Sequence, residues 1–334
     1  MHRELLIEFI VVGVSSFILT AILSHFIIPI LRAKKVGQSI RAEGPKSHMT
    51  KAGTPTMGGI IFIMAIMLVL VGMAIYYAVR GKQSELIPLA LTMALAVLNG
   101  MIGFVDDYCK LIKKQNEGLK AYQKFILQVV AAVLYIFMMN RFGDLDTTLH
   151  IPFTEKIVEL GIVYYAFALI LIVGMVNSVN LTDGIDGLAG SVTLVVATFF
   201  ATVAFLHPFH GGNTALTLCS GALIGAIIGF LIYNLHPAKV FMGDTGSLFF
   251  GGAVTGMAFI INEPIIIFIV GGVYLFETLS VIIQVTSFKL RNKRVFRMSP
   301  IHHHFQEGGW SEGKIVIVFS AVTALLCIVS WFGI

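Results

Sequence analysis

IVELGIVYYAFALILIVGMVNSVNLTDGIDGLAGSVTLVVATFFATVAFL, residues 157–206, decides the architecture. Two apolar runs, approximately 157–178 and 188–206, flank a break that holds Asn177, Asn180, Asp183 and Asp186. Each run comes close to the roughly 20 residues a helix needs to cross a bilayer core of about 30 Å. Neither alternates apolar with polar residues, as the strands of a membrane barrel would.

Outward from this stretch the pattern continues. Ten such runs cover approximately 5–31, 58–79, 86–105, 121–140, 157–178, 188–206, 213–235, 245–261, 264–285 and 314–333. The chain is 57% hydrophobic and 12% charged, with a mean hydropathy of +0.89, whereas roughly 25% of an average soluble domain is charged. The sequence therefore predicts an all-α, polytopic integral membrane protein of about ten transmembrane helices, one membrane-embedded domain over 1–334. The first run follows only His2, Arg3 and Glu4 and has no cleavage site of signal-peptide type, so it reads as a retained helix.

Basic residues accumulate on the cytoplasmic side of a membrane. Sixteen of the 23 Lys and Arg lie in the connections after odd-numbered runs, and five in the N-terminus and the other connections. Both termini are thus expected outside. Every unusual polar cluster then falls inside: KAGTPTMGG at 51–59, FVDDYCK at 104–110, NSVNLTDGIDGLAGS at 177–191, NLHPAKVFMGDTGS at 234–247 and SPIHHHF at 299–305. A cytoplasmic active site follows. The outside segment 141–156 is expected to form a small hairpin or surface helix. The three cysteines, Cys109, Cys219 and Cys327, are scattered and imply neither a disulfide framework nor a thiolate metal site. No basic domain stands clear of the membrane to bind nucleic acid.

Asp106 and Asp107 end an apolar run, with Lys110, Lys113 and Lys114 on the next turns. Two like charges at about 4 Å repel by about 4 kcal/mol at an effective dielectric near 20, so a neighbouring cation is expected. A solvated helix end would use the same pattern. In NLTDGIDG each acid precedes a glycine. Asp186 suits an N-cap for the following helix, which leaves Asn177, Asn180 and Asp183 to be explained by function. VFMGDTGS places Gly243, Asp244, Thr245 and Gly246 at a helix start, where free N–H groups favour phosphate; an ordinary Asp cap is the bland account. Carboxylate oxygens suit Mg²⁺, and imidazoles suit transition metals. Mg²⁺ is therefore assigned to the aspartates, and His302, His303 and His304 to phosphate or sugar contacts. Glu277, inside the ninth run, is either functional or marks a bend that tilts its helix outward.

The ordered set KAGTPTMGG, DDYCK, NLTDGIDGLAGS, PAKVFMGDTGSL and SPIHHHF closely resembles the polyprenyl-phosphate N-acetylhexosamine-1-phosphate transferases, through all ten runs and without departure at the motif residues. SPIHHHF and HMTKAGTPTMGG favour the branch that uses a muramoyl-pentapeptide donor. That resemblance implies Mg²⁺-dependent transfer of phospho-MurNAc-pentapeptide from UDP-MurNAc-pentapeptide to undecaprenyl phosphate in the bacterial cytoplasmic membrane, among membrane lipid, in a homodimer. It makes Asp244 the metal ligand and a catalytic residue with Asp106, Asp107 and His302. Asp106 would deprotonate or orient the lipid phosphate, and Lys110 and Lys114 would contact phosphate. Lys51, Thr56, Asn180, Asp183, Asp186 and Phe241 match the nucleoside region, with Phe241 stacked on uracil. Asn234, Gln284, His303 and His304, with His302, match the diphosphate and sugar region. Direct attack by the lipid phosphate is favoured over a phospho-aspartate route. The alternatives are transfer of N-acetylglucosamine-1-phosphate and, from another class, a secondary transporter; the acids gathered at one boundary argue against the midplane site of a transporter.

Overall fold

A computed structural model of the chain describes residues 2–34, 51, 53–113 and 118–334. The element order is α1 (His2–Ala33), α2 (Gly59–Val79), α3 (Ile87–Lys113), α4 (Ala121–Phe142), β1 (Thr148–His150), β2 (Ile157–Glu159), α5 (Ile162–Thr182), α6 (Leu188–Leu206), α7 (Thr214–Asn234), α8 (Gly243–Ile260), α9 (Ile267–Val270), α10 (Gly272–Arg291), α11 (Ile301–Gln306) and α12 (Glu312–Trp331). Among the described residues nine helices are long and apolar enough to cross a membrane: α1 to α7, α10 and α12. The protein is a multi-pass membrane protein of the all-α class, with one short hairpin, β1–β2.

The eighth apolar run behaves differently. It forms α8, where every residue from Thr245 to Ile260 is buried. Packed against α3, α5 and α2, α8 faces protein rather than lipid, so it needs less hydrophobicity than its neighbours. Its small residues, Gly246, Gly251, Gly252, Ala253 and Gly256, allow the close helix approach that stabilises bundles in lipid. Some buried hydroxyls bond back to their own helices, as Thr255 Oγ1 does to the Gly251 carbonyl at 2.7 Å and Thr193 Oγ1 to that of Ala189 at 2.6 Å. By contrast, Leu6, Ile7, Ile10, Val14 and Ile18 of α1 are exposed, as a lipid-facing surface requires.

Two boundaries depart from the sequence reading. The hairpin expected within 141–156 extends into the fifth run: Thr148 pairs with Glu159, Leu149 with Val158 and His150 with Ile157, so α5 starts only at Ile162. The ninth run divides at Gly271, between the short α9 and α10. Glu277 lies inside the uninterrupted α10.

Candidate active site

The motif segments meet where α3 ends, α4 and α8 begin, and α5 ends. Asp106 and Asp107 share a face of α3 with Lys110, one turn on. The Lys110 ammonium lies 2.6 Å from Asp106 Oδ2, 3.8 Å from Asp107 Oδ1 and 3.1 Å from Asp244 Oδ2. Lys124, in the first turn of α4, approaches Asp244 Oδ2 to 2.8 Å. Asn180 Nδ2 donates to Asp244 Oδ1 at 3.0 Å and to Ser247 Oγ at 2.8 Å. Three carboxylates and two ammoniums thus form one network, with Asp106 and Asp107 buried and Asp244 partly accessible.

The start of α8 is not left open for an anion. Asp107 Oδ2 accepts from the Thr245 amide at 3.0 Å and the Thr245 hydroxyl at 2.8 Å, while Asp107 Oδ1 accepts from the Asp244 amide at 3.3 Å. A carboxylate from α3 therefore caps α8, satisfying its orphan donors and complementing its positive end. Asp244 does not cap its own helix, and the expected phosphate-binding helix terminus is occupied. Likewise Asp186 does not cap α6, whose N-cap is Gly187 in a left-handed conformation (φ 76°).

Asp186 instead joins a second network. Its Oδ1 meets Lys51 Nζ at 2.7 Å, and its Oδ2 accepts from the Ala238 amide at 3.0 Å with His236 Nδ1 also 3.0 Å away. Glu312, at the start of α12, holds Lys51 from the other side at 2.7 Å and accepts the Asp186 amide at 3.1 Å. Asp183, between the two networks, is half-buried and has no cation in contact among the described residues. Burial, followed by the charges of Asp244, Asp107 and Asp186, pushes its carboxyl well above the usual range.

The other sequence-derived residues take varied places. Thr56 is buried beside Gly243 and Asp107. The Phe241 backbone is strapped to the 55–58 segment, its N–H bonded to the Pro55 carbonyl and its carbonyl to the Gly58 amide, both at 2.8 Å. Asn234 is buried and bonds the Val240 carbonyl at 2.9 Å, bracing the turn before α8. Gln284 accepts the Val295 and Phe296 amides at 2.9 Å each, anchoring the basic loop. His302 is wholly buried, His303 is buried, and His304 Nδ1 accepts the Arg297 amide at 3.1 Å. Lys114 lies outside the described residues.

Lys124, Glu312 and His236 join the networks without having been singled out in the sequence. Lys124 sits four residues past a break and Glu312 two past Trp310, where each looks like an ordinary helix-end charge. Only the fold brings them to the aspartates. Beside Lys124, Tyr122, Phe125, Gln128 and Asn177 line a cavity of about 440 Å³. A cavity of about 450 Å³ at the other end, lined by His150, His210 and Glu263, contains none of the motif residues.

A cluster of carboxylates and lysines at the helix ends fits an enzyme acting on phosphates, and residues 89–262 match glycosyl transferase family 4. Residues 51–63, around Lys51 and Thr56, match phospho-N-acetylmuramoyl-pentapeptide-transferase signature 1. The chain is 45% identical to the phospho-N-acetylmuramoyl-pentapeptide-transferase of Clostridium novyi (strain NT) over 95% of its own length and 94% of the relative's. It is 48% identical to that of Clostridium beijerinckii (strain ATCC 51743 / NCIMB 8052), with 95% and 94% covered, and 44% identical to that of Desulfitobacterium hafniense (strain DSM 10664 / DCB-2), with 93% of each covered. The chain belongs to glycosyl transferase family 4 and, within it, to the phospho-N-acetylmuramoyl-pentapeptide-transferases.

Proposed function

We propose that the protein transfers phospho-MurNAc-pentapeptide from UDP-MurNAc-pentapeptide to undecaprenyl phosphate, in a bacterial cytoplasmic membrane, releasing UMP and forming the first lipid-linked intermediate of peptidoglycan. The observation that carries this reading is the network of Lys110 and Lys124 with Asp106 and Asp244 at a helix boundary. There a lipid phosphate and a soluble sugar nucleotide can meet.

An oxygen of the lipid phosphate attacks the phosphorus attached to the sugar. A new P–O bond forms, the bridging P–O bond breaks, and UMP leaves with its electron pair. Such a transfer depends on positioning and charge neutralisation. Lys110 and Lys124 neutralise phosphate oxygens, and Asp106 orients the attacking phosphate or takes its proton. The cavity beside Lys124, walled by Tyr122 and Phe125, suits the lipid end of the acceptor. Lys51, Asp183, Asp186 and Phe241 receive the nucleoside, and the 299–305 segment lies toward the sugar.

The carboxylate oxygens of Asp106, Asp107 and Asp244 lie within 4.8 Å of one another, a hard donor set of the kind Mg²⁺ takes. Asp107 is already committed to the start of α8, which leaves Asp244 and Asp106 as the residues that would hold the ion. When bound, Mg²⁺ would polarise the diphosphate and offset charge on the departing UMP. Purified protein should release UMP only when UDP-MurNAc-pentapeptide, undecaprenyl phosphate and Mg²⁺ are all present. Release with UDP-GlcNAc in place of the muramoyl donor would move the reading to the sibling transferases, and no release with either donor would reject it.

A further inference from the structure

Glu277 is wholly buried in the second turn of α10. An acid at such depth in a membrane helix is costly and calls for a partner. Its partner is His302, also wholly buried: His302 Nδ1 lies 3.0 Å from Glu277 Oε2, and the His302 amide points to the same oxygen at 3.3 Å. The Nδ1 contact is an ion-pair distance rather than an aligned hydrogen bond, and Nε2 at the far side of the ring has no hydrogen-bond partner among the described residues. That side rests on Gly184, where a Cβ would run into the imidazole. Gly184 stands between Asp183 and Asp186, the two acids of the NLTDGIDG turn.

The imidazole is therefore a rigid spacer, with a transmembrane carboxylate beneath it and the backbone of the acidic turn above. We propose that Glu277 is a positioning residue: acting through His302, it sets the height of the Asp183–Asp186 turn and so the shape of the donor site. The inference rests on the reading of that turn as part of the nucleoside-binding region. Glu277 touches no substrate, and its effect falls on the donor rather than on the lipid acceptor, whose phosphate is received on the Lys110 and Lys124 side.

The test is steady-state UMP release by full-length protein in detergent, with KM measured separately for UDP-MurNAc-pentapeptide and undecaprenyl phosphate. Glu277→Ala should raise donor KM at least tenfold and leave lipid KM within twofold. Glu277→Gln, which keeps an acceptor for the His302 amide, should recover most of that loss. Equal changes in both KM values, a change in kcat alone, or no rescue by Gln would overturn the proposal. If Glu277→Ala does not fold, Gly184→Ala, which pushes on the same ring from the other side, must show the same donor-selective rise; an unchanged donor KM there would also overturn it. Wild-type protein that releases no UMP defeats the transferase reading and this inference together. Active wild type with normal variants defeats the inference alone.

Discussion

Asp183 is the least comfortable charge in the site, burdened by burial and by the charges of Asp244, Asp107 and Asp186, with no contacting cation among the described residues. Its carboxyl is shifted upward on folding, so the folded state disfavours its ionised form. Stability is then lost as pH rises from the unfolded carboxylate range through the raised value, and the penalty is present in full above it. Asp183→Asn should therefore raise Tm at neutral pH without added divalent cation, with a smaller gain at pH 4, while donor binding weakens. An unchanged or lower Tm at neutral pH would show that the repulsion is relieved in some other way. Lys124 makes the opposite case, a cation whose role is charge neutralisation. Lys124→Met should cut turnover by about 10²–10³, the usual range for losing one preorganised charge-stabilising group, with a lower Tm because Asp244 loses a partner at 2.8 Å. Equal turnover would remove Lys124 from the site. At this scale the aspartates were legible because acids beside glycines between apolar runs have few structural reasons to be there. Lys124 and Glu312 were not, since a single charge in the first turn of a helix carries no local sign of what lies opposite. The partners of Asp107 and Asp186 were also hidden: a cap supplied by a different helix leaves no spacing in the sequence.

The junction of α3 with α8 brings Asp106 and Asp107 to Asp244. Gly103 lies against the Asp244 backbone, so closely that a Cβ would overlap its carbonyl. Gly103→Ala must therefore force the two helices apart, and overpacking of this kind costs about 1–3 kcal/mol. A drop in Tm together with a loss of turnover larger than the stability loss explains is expected, because the carboxylates separate as the helices do. Normal activity at normal Tm would mean that the close approach is not needed. The elements themselves were mostly readable, since long apolar runs in a membrane protein have few alternatives to helix. The exceptions follow from packing. α8 is a helix as its run at 245–261 predicts, but its burial among other helices was not legible from composition. The start of α5 was misplaced because Ile157 and Val158 are as apolar in a hairpin as in a helix.

Across the whole molecule the two ends differ in chemistry: one gathers the acids, lysines and histidines of the motifs, and the other carries the β1–β2 hairpin. From the bias of Lys and Arg we propose that the motif end lies inside the cell. Single-cysteine variants on a background without Cys109, Cys219 and Cys327 can check this. Thr154→Cys in the hairpin should react with a membrane-impermeant maleimide on intact cells, and Arg294→Cys only after permeabilisation. The reverse pattern would turn the protein over and remove the site from its cytoplasmic donor. The central claim, that phosphoryl transfer takes place at the network around Asp244, is tested most directly by UMP release from purified Asp244→Asn protein. With Tm and detergent behaviour preserved, turnover should fall by about 10²–10³ or more; turnover near that of the wild type would contradict the account.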